Sequence, residues 1–126
     1  MTDRPGVVLD AGAFIALERR DGTMVRLAKR FTDAGTPLVT SAGVVAHVWR
    51  GGSRQAPIAF LLRRTTVVDL TDSVARVLGL MLGTSRRSDP VDAHVVLLAR
   101  QRQWPVVSSD PGDLLALDPT LIVERI

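Results

Sequence analysis

The chain has 126 residues, 46% of them hydrophobic and 23% charged, with a net charge of +3 and no Cys. That length and balance fit one folded domain over residues 1–126 and exclude a disordered chain. Without Cys there is neither a disulfide framework nor a Cys-based zinc site, and no stretch is long and apolar enough to span a bilayer.

Residues 1–5 are polar and short, without the apolar segment of a secretory signal, so a cytoplasmic protein is expected. Val7 to Leu9 is an apolar run without alternation, the pattern of a strand buried on both faces. It ends at Asp10, and small residues follow at once. Ala13 to Arg19 reads as a short helix closed by the turn Arg19-Arg20-Asp21-Gly22. Thr23 to Ala34 reads as a second helix, with Met24, Leu27, Ala28 and Phe31 on one face and Gly35 as its stop. Pro37 to Thr40 is a second buried strand. Ser41 caps a helix carrying Val44, Val45, Val48 and Trp49, which ends at Gly51-Gly52. Pro57 starts another, with Ile58, Phe60, Leu61 and Leu62.

Thr66 to Leu70 is a third strand, rich in β-branched residues. Thr71 begins a helix through Leu82, and Gly83 ends it. Arg86 and Arg87 lie in the following loop. Pro90 to Arg102 is the clearest helix, with Pro at the first position, Val91, Val95, Leu98 and Ala99 facing inward, and Arg near the end. Pro105 to Ser109 is a fourth strand. A short helix, Asp113 to Leu117, and a final strand, Leu121 to Glu124, close the chain. Strands alternating with helices predict an α/β fold, a central parallel sheet of about five strands flanked by helices in an α/β/α sandwich.

In such a sheet, ligands bind at the carboxyl ends of the strands. Asp10 stands at one of those ends. A carboxylate there is costly to bury unless it is paired or binds a cation, though Asp is also a good helix N-cap. The pattern Ser-Asp-Pro-x-Asp occurs at Ser88 to Asp92 and again at Ser109 to Asp113. Each copy reads as a helix start, with Asp at the N-cap, Pro at N1 and an acid at N3. Capping accounts for these carboxylates one motif at a time. Strand ends add a second reading. Asp10 follows the first strand, Asp110 follows the fourth, and Asp92 lies in the first turn of the helix feeding the fourth. If the first and fourth strands are neighbours, the three carboxylates converge on one cleft. Their repulsion raises their pKa values, and a divalent cation relieves it. Oxygen-only ligands of this kind suit Mg²⁺ or Mn²⁺.

Four segments together carry a resemblance: Val7 to Asp10, Ser41 to Arg50, Asp92 to Ala99, and Val107 to Leu114. In that order they resemble the PIN-domain ribonucleases, and more narrowly the VapC toxins of type II VapBC toxin–antitoxin systems. The resemblance covers nearly the whole chain. It implies catalytic, metal-ligating acids at Asp10, Asp92 and Asp110. It implies that Ser108 helps to hold the site and that Asp113 is an accessory acid. It also implies an Mg²⁺-dependent endoribonuclease, a homodimer, and inhibition by a cognate VapB-type antitoxin whose tail enters the groove. An exposed apolar groove between the early helices would be that antitoxin's dock.

One position departs from the family. A Glu is usual on the third helix, and the matching residue here is His47. The only Glu residues of the chain are Glu18 and Glu124, and neither fits. His47 has three readings: a metal ligand favouring a softer ion such as Mn²⁺ or Zn²⁺, a cation that binds phosphate, or a polar helix residue at the cleft edge. The departure opens an alternative function, an RNA- or antitoxin-binding module with weak or no nuclease activity.

Arg86 and Arg87 are the candidates for positioning RNA, and the doublets Arg19-Arg20 and Arg63-Arg64 extend the basic surface. Aromatics total 4% and Tyr is absent, which argues against a base-stacking platform. His94 lies two residues after Asp92 and so points elsewhere on the helix. Asp89 reads as a cap, and Trp49 and Trp104 as packing or interface residues. Ser108 and Ser109 have no His and acid placed for an acyl-transfer triad. A receiver-like domain would use Asp10 and Asp69, but it needs a Lys at the last strand edge, and the only Lys is Lys29.

Overall fold

The short apolar runs pair into one parallel sheet. In the computed structural model, which describes residues 5–126, five strands stand in the order β3-β2-β1-β4-β5. They are β1 (Val7–Leu9), β2 (Leu38–Ser41), β3 (Thr65–Val68), β4 (Val106–Ser108) and β5 (Val123–Arg125). Val8 pairs with Val39 on one side and with Val106 on the other, and Leu9 pairs with Val107. β1, β2 and β4 are buried at every residue, as a parallel sheet covered by helices requires. β3 is an edge strand and half exposed, which suits its Thr residues.

The helices are α1 (Ala11–Glu18), α2 (Gly22–Ala34), α3 (Ala42–Val48), α4 (Ala56–Leu62), α5 (Asp72–Ser85), α6 (Pro90–Arg102) and α7 (Gly112–Leu117). Asp10, Asp21, Ser41, Thr71 and Asp89 cap the first, second, third, fifth and sixth through their side chains. Phe14, Met24, Ile58, Leu61 and Val96 close the core over Val8, Leu9, Val106 and Val107. Among the described residues, no helix is long and apolar enough to cross a membrane.

Several boundaries differ from the sequence expectation, each for a local reason. α5 runs through Gly83 to Ser85 and stops at Arg86, which takes the left-handed conformation at φ 61°. Nothing lies within 4 Å of a Cβ built on Gly83, so the glycine serves no close approach and the helix passes over it. α3 stops at Val48, short of Trp49 and the glycines. The cause is Gln55, which ends an unforeseen 3₁₀ turn over Ser53–Gln55. Its Oε1 accepts from the N–H of Arg50 at 2.6 Å and of Gly51 at 2.9 Å. Its Nε2 donates to Val48 O at 2.7 Å and to Glu18 Oε2 at 2.8 Å. One buried amide thus ties the end of α3 to the end of α1. Near the C-terminus, Asp118 accepts from Thr120 and Arg100, and the last strand begins only at Val123.

What this topology does for function lies at β1 and β4. From β1 the chain builds outward through β2 to β3, then crosses to the other side for β4 and β5. The strand order reverses between β1 and β4, and that reversal opens a crevice at their carboxyl ends.

Candidate active site

Asp10 leaves β1 with extended backbone and caps α1, accepting the N–H of Ala13 at 3.1 Å. The capping role is real, but it uses only part of the carboxylate. Asp10 also lines a cleft of about 210 Å³ together with Asp92, Asp110, Asp113 and His47. Asp10, Asp92 and Asp110 therefore line one cleft, because β1 and β4 are neighbours. Burial pushes the Asp10 carboxyl up, hydrogen bonds from Ser108, Ala13 and Gly12 hold it down, and the charge of Asp110 adds to the rise. Gly12 lets the start of α1 lie against the loop after β4, since a Cβ there would press on Ser109 and oblige that side chain to turn away.

Ser108 is fully buried at the end of β4. Its Oγ accepts the Asp110 N–H at 3.1 Å and bonds to the Asp10 carboxylate. A single hydroxyl connects the two strand-end acids. The expectation that Asp110 is an N-cap is corrected: α7 begins at Gly112, Pro111 occupies the cap position, and no side chain caps the helix. The turn held by Ser108 takes the Asp110 N–H and leaves its carboxylate on the cleft wall.

In the first copy of the repeated motif the cap reading holds. Asp89 Oδ1 accepts from the N–H of Val91 at 2.8 Å and of Asp92 at 3.4 Å. Asp92 is left free to face the cleft. Its carboxyl is pushed up to about 6, first by burial and then by the charges of Asp89, Asp113 and Asp10, against which His47 works. His47 stands exposed in the last turn of α3. Asp113, in the first turn of α7, pairs with Arg87 at 3.5 Å on the exposed border of the cleft. Arg86 is the C-cap of α5 and does not line the cleft.

His94 points away from the acids, as its position on the helix requires, but it does not lie on a surface. It is buried, and its Nδ1 lies 2.6 Å from Ser41 Oγ. Ser41 Oγ also accepts the Gly43 N–H at 3.0 Å, so one hydroxyl serves both the start of α3 and the His94 ring. Burial, with help from Arg102, holds His94 below its ordinary value and keeps it neutral. This bond joins α6, which carries Asp92, to the start of α3, which carries His47. No pattern in the sequence announces it, because the partners are 53 residues apart.

A model of the PIN domain matches residues 7–116. The chain belongs to the PIN domain family. No curated relative matches it. Among solved structures, this PIN domain is similar to FitAB bound to an IR36 DNA fragment, with 16% identity, a TM-score of 0.63 and 94% of each chain covered. It is similar to FitAcB from Neisseria gonorrhoeae, with 16% identity, a TM-score of 0.65 and coverage of 94% of this chain and 96% of the other. For PAE2754 from Pyrobaculum aerophilum the identity is 15%, the TM-score 0.65 and the coverage 94% and 83%. At these identities the likeness is one of fold.

The donor chemistry of this PIN domain suits a divalent cation: Asp carboxylates, one imidazole and, among the described residues, no Lys or Arg on the cleft wall. As the side chains stand, no three His, Asp or Glu among the described residues are close enough to hold one ion. A cation would have to draw the acids inward against their mutual repulsion.

Two predictions follow from this geometry. Asp92 is raised from 3.8 to about 6, so the folded state binds its proton more tightly than the unfolded chain does. The stability from neutral Asp92 is complete below 3.8 and is lost as pH rises through 6. Asp92→Asn, which stays neutral, raises the Tm of the metal-free protein at about pH 7.5, and the gain fades towards about pH 4; thermal melts in chelator measure it. Ser41→Ala removes a cap and strips His94 of its partner, lowering stability by about 1–3 kcal/mol in urea unfolding.

Proposed function

We propose that residues 1–126 act as a single domain that cleaves RNA phosphodiester bonds, the toxin of a VapBC-type toxin–antitoxin pair. One observation carries the reading: Asp10, Asp92 and Asp110, from three distant stretches, line one cleft at the point where the strand order reverses. The PIN family supports a nuclease, and the fold shared with FitAB and FitAcB supports an antitoxin partner. The resemblance of the ordered motifs supports the narrower reading: a homodimer in the cytoplasm that uses Mg²⁺, with Mn²⁺ as a substitute.

Asp10, Asp92 and Asp110 would hold the cation, with Asp113 accessory. When bound, such an ion offsets the carboxylate charge, acidifies water and stabilises the negative charge that grows on the phosphate. The chain's own residues set up that site. Ser108 fixes the Asp10 carboxylate and the turn of Asp110 through one hydroxyl. Asp89 takes over capping of α6 and frees Asp92. Arg87 borders the cleft, where its guanidinium can pass from Asp113 to an RNA phosphate. Arg86 is a second basic group in that loop. The apolar groove formed by Leu17, Val25, Ala28, Pro57 and Phe60 is the proposed antitoxin dock.

Asp10→Asn tests the reading cleanly, because Asn caps a helix about as well as Asp and the fold is kept. Purified protein freed of antitoxin should cleave structured RNA with Mg²⁺ or Mn²⁺, stop in chelator, and lose the activity in Asp10→Asn, whose Tm in chelator should be no lower than the native chain's. Full metal-stimulated cleavage by the variant would sink the assignment. Because Asp92 holds its proton up to about 6, the rise in Tm caused by the metal should shrink as pH falls below 6.

His47 on the cleft wall favours a second reading, a binding module of low activity. The imidazole brings one negative charge fewer than a carboxylate and a nitrogen donor in place of oxygen. On this reading His47→Glu gains Mg²⁺-dependent cleavage strongly over the native chain. If the native chain already cleaves as fast as the variant, the binding-module reading fails.

A further inference from the structure

The acid cleft does not end at its acids. A second cavity, of about 320 Å³, is lined by Gly12, Ile15 and Ala16 of α1, by Arg19 and Asp21 just after it, by Ser109 and by Ile126. Gly12 and Ser109 belong to both walls, so the two hollows adjoin at these residues. At the opposite end, a recess of about 150 Å³ shares Asp89, Asp92 and Asp113 with the cleft and is bordered by Arg87. The carboxylates thus lie between two recesses, one with Arg87 at its edge and one with Arg19.

α1 itself is unusual. Ala11 to Leu17 contains no polar side chain. Ala13, Phe14 and Leu17 enter the core, whereas Gly12, Ile15, Ala16 and Arg19 follow the three-and-four spacing of the other face and stay partly or fully exposed. An all-round apolar helix is a buried one, and Ile15 and Ala16 are half-buried against the edge of the core while the rest of their surface lines this cavity. Asp21, also on the wall, has its carboxylate engaged by the Met24 N–H at 3.0 Å. Arg19 brings the positive charge to this cavity.

We propose that the α1 cavity is a nucleobase subsite for single-stranded RNA, next to the phosphate that reacts in the acid cleft. The proposal rests on the nuclease reading above. Ile15, Ala16 and Ile126 pack on the flat faces of the base, the exposed Ser109 hydroxyl meets its polar edge, and Arg19 takes the next phosphate. A strand leaving an acid-lined site needs cations at its exits and apolar walls for its bases, and Arg87 and Arg19 stand at the two exits. Only an unpaired base can turn into such a recess, so the subsite selects single strands, loops and bulges over duplex.

The test uses the full chain carrying Asp10→Asn, so that RNA is bound without being cut. Ala16→Phe fills the cavity from the half-buried wall of α1, and Arg19→Gln removes its charge. Each should weaken binding of a short fluorescent single-stranded RNA by about tenfold or more in anisotropy titrations, with Tm unchanged. In the otherwise native chain, Ala16→Phe should also alter which base is preferred beside the cut. Arg19 is exposed, so Arg19→Gln decides the matter alone if the bulkier variant does not fold. Single-stranded RNA binding within twofold of the parent in both variants overturns the proposal. So does a loss confined to a co-expressed protein partner, which would assign the face to that partner. If the parent binds RNA and the variants do not, while the native chain never cleaves, the subsite stands and the nuclease reading falls.

Discussion

Everything at the cleft depends on like charges held close by a rigid frame. β1 and β4 are adjacent and buried, so Asp10 and Asp110 cannot drift apart by sliding of strands. Ser108, anchored in β4, binds one acid by its carboxylate and the other by its backbone. Asp92 arrives on α6, which Ser41 and His94 tie to α3 from beneath. Burial raises the carboxyls of Asp10 and Asp92 first, and the charges of neighbouring acids, Asp110 beside one and Asp89, Asp113 and Asp10 beside the other, add to the rise. Carboxyls raised in this way and gathered on one cleft are a common mark of a functional site.

The sheet was legible in the sequence because its signals are local. Short β-branched and apolar runs bounded by turn residues need no tertiary knowledge to be read as buried strands, and Asp, Ser and Thr before apolar runs mark helix starts. The acids were legible for a related reason: strand ends are where side chains reach a crevice, and Asp10 and Asp110 sit at two of them. What stayed hidden depends on partners far away in the chain. Gln55 reshapes the end of α3 by bonding across to Glu18, and nothing within a window around Gln55 marks it. His94 was separable from the acids by helical spacing, but its bond to Ser41 required the packed α3 and α6. Asp110 looked like a cap because Asp-Pro usually is one, and the Ser108 turn overrode that preference.

The two Ser-Asp-Pro-x-Asp copies make the same point. At Ser88 the motif acts as its composition suggests, and Asp89 caps α6. At Ser109 the same letters follow a buried strand that ends in Ser108, and the first acid is diverted to the cleft. Equal motifs take unequal roles because the residue before them differs in burial and bonding.

Gln55 carries a consequence for how this chain can vary. Its amide serves two donors and two acceptors at once. A carboxylate there would offer only acceptors and face Glu18, and an ammonium would offer only donors to the waiting N–H groups. Neither a charge nor an aliphatic isostere reproduces the pattern, so the stretch from Val48 to Gly51 has little freedom to drift while it keeps its shape. The geometry of the helix bearing His47 is therefore guarded by a neutral side chain outside the cleft, and substitutions there would reach the cleft without touching any of its acids.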